Sequence, residues 1–550
     1  MSIELTRVTT STEAEDAFIT SRNSDAEIIE NGVNADAQAI SNEVTRATTA
    51  EEANAQAIAT EITRAEAEEA LKVNTDDIVD SLEDTSTNKP LSANQGYELN
   101  IKINSLMANI YGFQINHITG DYTRTDSAVG MSFGTKDGVG AISSDFDTVF
   151  PWKGMRHVKI SVDGEQVEES NSNYDSFDGN IFTIIPAHYE YDETVASVRT
   201  IKVSSSYFQG STFVPEQTIG SMQASLVGNE VRSRVGETPK TNKSYTSFLT
   251  DMYAQGDGLH SMYNAQNLHT LFLLMTIEAG TPDCQSAYGT GISSSMPYSS
   301  SDAYKITVAS ANANTVTLAS AGQPFYVGMD VQIGTSYTNN YIASNRKITD
   351  ISDNGTTMVI TVDGDSFSTS VGNAIATWGQ SVSQDTFDAM GNGSGYILEN
   401  ESEVRSHVCY RGIWDLWGNC WQFSAGDMRV DGVHYVCEDK TKYNTSNPTA
   451  ADGWTNTGFG EYAENGWQQE RKAIKSNDSF FDVPVLWGNA ANSGSYYSAY
   501  LYSFSSTYSG VRVLRVGGSW SYGSFCSLVA SSGYDSPSST DVNISSRLIR

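Results

Sequence analysis

The chain has 550 residues, 33 of them basic and 66 acidic, for a formal charge of −33. That excess excludes a general binder of nucleic acid or of anionic membranes, because phosphate affinity needs clustered Lys and Arg. The length exceeds what one core organises, so about three or four modules are expected. No apolar run reaches bilayer-spanning length.

Taken in order, the start Met1-Ser2-Ile3-Glu4-Leu5 has neither a basic nor an apolar leader segment, so Sec export is not expected. Residues 1–84 are rich in Ala, Glu, Thr and Asn, with Gly32 the sole glycine and no Pro or Trp. Here ADAQAISNEVTRA (35–47) returns eighteen residues later as ANAQAIATEITRA (53–65). Eighteen residues make about five helical turns, so Ile40, Val44, Ile58 and Ile62 stay on one face. A single helix with so thin an apolar seam is marginal, which predicts a multi-stranded coiled-coil shaft, most plausibly three-stranded. A disordered acidic arm is the alternative.

Residues 85–108 read as a connector. NKPLSANQG (88–96) breaks the repeat, Ser92 can cap a helix, and Tyr97–Ala108 carries a short apolar stripe. Residues 109–245 are β-rich, with strands expected near 158–162, 180–186 and 200–203. The segment 264–278 is apolar almost all round in its second half and predicts a buried helix. His260 and His269 read there as structural residues. Residues 303–380 look like an insertion of five or six short strands, which fits a small β-barrel.

Residues 381–485 contain RGIWDLWGNCWQF (411–423), whose Trp414, Trp417 and Trp421 read as core anchors. His407-x-Cys409 and His434-x-x-Cys437 match no strong zinc spacing, and five cysteines are too few and too scattered for a disulfide framework. Residues 486–510 are Ser/Tyr-rich. From 476 to 550 the sequence has no Lys, Glu, Gln or Met. Positions derived from AAC or AAT codons with randomised adenines would exclude these four residues and Trp. A Ser/Tyr-rich β-domain edge would share the composition. The final stretch opens on VRVLRV (511–516), turns at Gly517-Gly518, and closes on SRLIR (546–550), a fixed frame around a chemically loose middle.

GVRVLRVGGSW (510–520) with the closing SRL (546–548) resembles the variable region of diversity-generating retroelement target proteins, which are C-type-lectin-fold receptor-binding proteins. RGIWDLWGNCWQF is similar to the GxYDMxGNVWEW signature of that fold and of formylglycine-generating enzymes. GDGLH (256–260) before an apolar helix is a weaker match. The resemblance covers 110–302 and 381–550. It implies an α+β chain: a C-type lectin fold head of the formylglycine-generating-enzyme-like subclass, with the barrel at 303–380 inserted between 109–302 and 381–550. The helical shaft and connector also resemble those of phage tail fibres.

No GxxxxGK[ST], GxSxG, HExxH or EF-hand pattern is present. The enzyme branch of the fold needs a cysteine pair after the Gly-Gly-Ser segment, and here Cys526 stands alone at a different spacing. EPN and QPD sugar-binding triplets are absent. The expectation is therefore a non-enzymatic, cofactor-free and metal-free tail-fibre receptor-binding protein in the virion, made in the host cytoplasm. Its expected partners are a host surface receptor (protein or glycan), its own copies in a homotrimer, and tail or baseplate proteins through the shaft. Arg512, Leu514, Gly517, Gly518 and Trp520 are expected to frame the loop. Ser519, Ser521, Tyr522, Phe525, Tyr534, Asp535, Ser538, Ser539 and Asp541 are the expected ligand contacts, with Tyr500, Tyr502 and Phe504 secondary. A structural fibre subunit without diversified binding, or a bacterial surface lectin of the same fold, are the alternatives.

Overall fold

A computed structural model of the chain describes residues 13–72, 99, 109–134, 136–137, 143–255, 261–262, 264–292, 297, 299–320, 324–338, 341–391, 393–398, 406–444, 446, 448–457, 466–475, 482–489, 500–503 and 509–550. Two units emerge, Met1–Lys102 and Ile103–Arg550.

The first unit contains one 60-residue helix, Glu13–Lys72. Its Ala, Glu, Gln and Arg content favours helix throughout, and no Pro interrupts it. The eighteen-residue repeat reappears as chemistry: Glu43 pairs with Arg46 and Glu61 with Arg64, each three residues apart. Ile40, Val44, Ile58 and Ile62 are 65, 58, 59 and 51 % exposed along one seam, so the helix does not bury this face by itself. The end of the shaft near residue 84, the Ser92 cap and most of the connector lie outside the described residues; Leu99 is helical.

The second unit is mixed α+β, mostly antiparallel sheets with few helices. A five-stranded sheet runs in the order Tyr122–Asp126, Ile110–Asn116, Val198–Ser204, His188–Val195, Thr212–Val214. A six-stranded sheet contains Asn180–Ile185 and Gln217–Gly220, and the chain's last strand, Leu548–Ile549, pairs between Gln217–Gly220 and Ser261–Met262. A nine-stranded sheet centres on Trp421–Val430, Val511–Val516 and Ser531–Asp535. No helix among the described residues is long and apolar enough to cross a membrane.

The expected buried helix spans Ala265–Ala279. Asn264 caps its start in a reciprocal box with Asn267, and Gly280 closes it in the left-handed conformation (φ 71°). Arg124 donates from Nε to the Ile277 carbonyl (2.8 Å) and from Nη2 to that of Glu278, placing a cation on the negative end of the helix. Leu271–Met275 and Ile277 pack against Tyr111, Phe113, Ile201, Val203, Trp152 and Trp417. The second helix, Tyr245–Ala254, packs Phe248 and Met252 against Phe182, Trp421 and Phe423.

The insertion departs from expectation. Thr315–Ala319, Thr357–Val362, Tyr341–Asp353, Asp330–Gly334 and Ala374–Thr377 form a five-stranded antiparallel sheet rather than a barrel. Among the described residues its two edge strands meet through the short run 305–308, by isolated bridges from Val308 to Thr317 and from Lys305 to Ala374. The run 306–308 is too short to form the paired strand that would close the ladder. The sheet also does not hold a core of its own: Ile333, Ile360 and Trp378 share one cluster with Cys420, Trp520 and Val542 of the surrounding body.

Candidate functional site

The motif at 411–423 builds the floor beneath the C-terminal loop. Trp414, Trp417 and Trp421 are completely buried. Arg411, which adopts positive φ (44°), reaches the buried Glu278 carboxylate through Nε at 2.9 Å and also pairs with Asp147. Burial alone would lower the Arg411 pKa, but the Glu278 carboxylate overrides it and holds the guanidinium charged. Asp415, at φ 52°, accepts from His407 (2.8 Å) and from Asn419 Nδ2 (2.9 Å). His407 is thus engaged in the motif, and among the described residues no group of three or more His, Cys, Asp or Glu could hold a metal ion. All five cysteines are buried and none forms a disulfide.

On this floor the C-terminal segment is clamped at both ends. Val511–Val516 pairs with Trp421–Val430 on one side and Ser531–Asp535 on the other. Gly517 and Gly518 follow at φ 93° and 78°. A Cβ on Gly517 would lie 2.6 Å from the Leu416 carbonyl oxygen, and one on Gly518 would lie 2.5 Å from Cys526 Sγ. Both positions need glycine for conformation and for space. Trp520 then inserts fully into the core shared with the insertion, its backbone N–H donating to the Asn419 carbonyl at 2.9 Å.

The far end is held by Arg547, a completely buried side chain. Nε donates to Gln422 Oε1 (2.7 Å), Nη1 to the carbonyls of Gly220 (2.7 Å) and Ser221 (3.2 Å), and Nη2 to those of Trp414 (2.5 Å) and Asp415 (3.2 Å). Gln422 Nε2 in turn donates to the Asp415 and Leu416 carbonyls. One guanidinium therefore ties the chain end to the 411–423 motif and to the six-stranded sheet.

Between the clamps the expected contacts separate. Ser521, Tyr534, Ser538 and Asp541 are exposed, and Tyr522, Phe525 and Ser539 are half-buried. Ser519 and Asp535 are corrections to the expected contact set. Ser519 is wholly buried under the Gly-Gly turn, where its carbonyl accepts from Cys526 Sγ. Asp535 is 8 % exposed and ion-paired to Arg515 at 2.9 Å. Burial pushes the Asp535 carboxyl up while Arg515 pulls it down. Tyr500 and Tyr502 fall on the strand Tyr500–Ser503, which runs parallel to Ser531–Asp535; Phe504 lies outside the described residues, as does the 256–260 motif.

Two residues outside the expected contact set shape this surface from below. The Arg515 guanidinium lies over the Trp421 ring (4.9 Å), and Tyr522 meets the same ring edge-on (5.3 Å, 74°). Arg515, Trp421, Tyr522 and Asp535 thus form one linked platform. The loop 536–541 is braced in turn: Ser536 N–H donates to Ser539 Oγ, Thr246 donates to the Pro537 carbonyl through both N–H (3.0 Å) and Oγ1 (2.9 Å), and Asn242 N–H donates to the Asp541 carbonyl (2.9 Å). The sequence signal for the platform was Arg515, set between the apolar Leu514 and Val516 in the strand Val511–Val516. A buried arginine in a strand demands a carboxylate or carbonyl partner nearby.

No protein-family model matches the chain, and no curated protein matches its sequence.

Proposed function

We propose that this protein is a receptor-binding adhesin that displays residues of its last forty positions as a ligand-contacting surface. The observation that carries this reading is the contrast between a buried frame and an exposed surface within one short segment. Gly517, Gly518, Trp520 and Arg547 are buried, and each is fixed by steric need or by hydrogen bonds. Ser521, Tyr534, Ser538 and Asp541 between them are exposed. A recognition surface needs that division: side chains open to solvent, on backbone held by buried neighbours. Tyr and Ser suit the role, since Tyr offers a large amphipathic surface at low entropy cost and Ser adapts its hydrogen bonds.

The resemblance to retroelement variable proteins extends the reading to a C-type lectin fold head on a tail fibre. The helix Glu13–Lys72 then serves as a three-stranded coiled-coil shaft that joins the head to the tail or baseplate of the virion. Binding is non-covalent, and three heads per fibre supply avidity to individually weak contacts. The test is amplicon sequencing of codons 476–550 in a propagated population. Variation at the codons for Ser521, Tyr522, Phe525 and Tyr534, with Arg512, Gly517 and Trp520 fixed, is the expected result. An invariant segment would favour a structural cap at the end of a fibre instead.

A further inference from the structure

We propose that the body carries out one covalent reaction on itself: Thr270 Oγ1 attacks the side-chain amide of Gln217, ammonia leaves, and an internal ester staples the helix Ala265–Ala279 to the strand Gln217–Gly220. This goes beyond the adhesin reading and does not depend on it.

Six buried side chains from three elements meet at one point. Asn267 and Thr270 stand three residues apart on the helix, and so on one face of it. Gln217 opens its strand in the six-stranded sheet, and His188 and Glu190 lie on His188–Val195 of the five-stranded sheet. With His269, these side chains are between 0 and 6 % exposed. Thr270 Oγ1 donates to Glu190 Oε1 at 2.8 Å and accepts from Gln217 Nε2 at 2.8 Å. Asn267 Nδ2 donates to Gln217 Oε1 at 2.9 Å, while its Oδ1 serves the helix cap by accepting from the Asn264 N–H.

Each contact has a chemical role. The Gln217 nitrogen is one bond of about 1.3 Å from the amide carbon, so Oγ1 is at most about 4.1 Å from that carbon. A shift of under about 1 Å brings the two to the roughly 3–3.5 Å of near attack. Glu190 takes the Oγ1 proton as the C–O bond forms. The carbonyl electron pair moves onto Oε1 of Gln217, where the Asn267 N–H meets the developing charge. Collapse breaks the C–N bond, and the nitrogen takes the proton back from Glu190 and departs as ammonia. No oxidant or cofactor is consumed. Burial pushes the Glu190 carboxyl up, but His188 Nε2, 2.9 Å from Oε1, and His269 Nε2, 3.7 Å from Oε2, help outweigh it and keep the base ionised.

An amide is a poor electrophile, but the reaction need run only once per chain. Groups held this way reach effective concentrations of about 10⁵–10⁸ M. The enclosure also keeps out the water that would hydrolyse the product. Merely satisfying a buried threonine and amide does not call for an ionised carboxylate, which is costly to bury. All five cysteines are free, so an ester would supply the covalent tie that disulfides do not, between residues 53 apart.

The test is the intact mass of the full-length chain after incubation at neutral pH, followed by peptic digestion in acid and tandem mass spectrometry. The wild type should weigh one ammonia less than its sequence. It should yield a branched peptide joining Gln217 to Thr270. Mild alkali should part the branches and leave a carboxylic acid on the side chain of 217. Thr270→Ser should still link, Thr270→Val should keep the full mass, and Glu190→Gln should slow linkage at least about a hundredfold. The full sequence mass in the wild type overturns the proposal, as does an ammonia loss that persists in Thr270→Val or maps to another amide. Linkage in Glu190→Gln at the wild-type rate overturns the role of Glu190 as base. Should Thr270→Val fail to fold, the presence or absence of the branched peptide in the wild type decides alone.

Discussion

Replacing Arg547 with Met tests the clamp on which the C-terminal surface depends. Methionine is close in length and keeps the packing of the aliphatic stem, while all five hydrogen bonds disappear. Four backbone carbonyls and the Gln422 amide oxygen then lose a donor in a place closed to solvent. A hydrogen bond from a charged donor contributes about 1.5–3 kcal/mol, and an abandoned buried acceptor costs about 1–3 kcal/mol. These terms overlap, so a net loss of roughly 3–5 kcal/mol is expected, as for other disrupted buried charges. Unfolding entropy of about 2.1 cal/mol/K per residue over Ile103–Arg550 converts this to a fall in Tm of roughly 3–5 °C by calorimetry. Arg547→Lys keeps the charge but cannot span five acceptors, and should fall between. Gln422→Leu combined with Arg547→Met should cost less than the two changes added, because they share one bond. If Arg547→Met lies within about 1 kcal/mol of wild type, the clamp carries little of the stability and the argument fails.

Gly517→Ala forces a Cβ to 2.6 Å from a backbone oxygen at φ 93°, and should cost about 1–3 kcal/mol with a matching loss of loop protection in hydrogen exchange. Trp520→Ala empties a site between body and insertion and should cost about 3–5 kcal/mol by urea denaturation, with both parts loosening together. Acidification should destabilise the fold in two windows. Burial lowers the His434 pKa beneath 6.5 despite Asp427, so the unfolded chain takes up its proton first and stability declines as pH falls below 6.5. Glu190 is penalised by burial, but His188, His269 and Thr270 outweigh this and lower its pKa beneath 4.5, so its contribution is lost as pH falls below 4.5. His434→Gln should flatten only the first window and Glu190→Gln only the second, as read from Tm against pH. Ile58→Asn with Ile62→Asn puts polar groups on the exposed seam of Glu13–Lys72; on the proposed three-stranded shaft, sedimentation of the wild type should report three times the 59.6-kDa chain and that of the double variant should shift toward one.

The local elements were legible because short-range rules decide them. The eighteen-residue repeat gave the helix Glu13–Lys72. The apolar run 264–278 marked the helix Ala265–Ala279, and β-branched and apolar runs marked Asn180–Ile185, Val198–Ser204 and Val511–Val516 as strands. Burial of Trp414, Trp417 and Trp421 followed from their size and spacing. The barrel was misjudged because period-two alternation predicts strands but says nothing about whether the last one pairs with the first. The contact set was only partly legible, since Ser and Asp carry no sign of which way they face.

The sequence by itself determined the periodicities, the apolar runs and the glycine turn, all properties of neighbours within a few bonds or a few turns. Only the tertiary structure decided that Ser519 and Asp535 are enclosed while Ser521 and Asp541 are open, that Arg547 reaches back across the chain to Trp414 and Gln422, and that the insertion shares its core with Trp520. Burial, ion pairing and shared packing join residues from different elements, from the Arg515–Asp535 pair across neighbouring strands to the Arg547–Gln422 bond across the body, and their energies exist only once those elements have met.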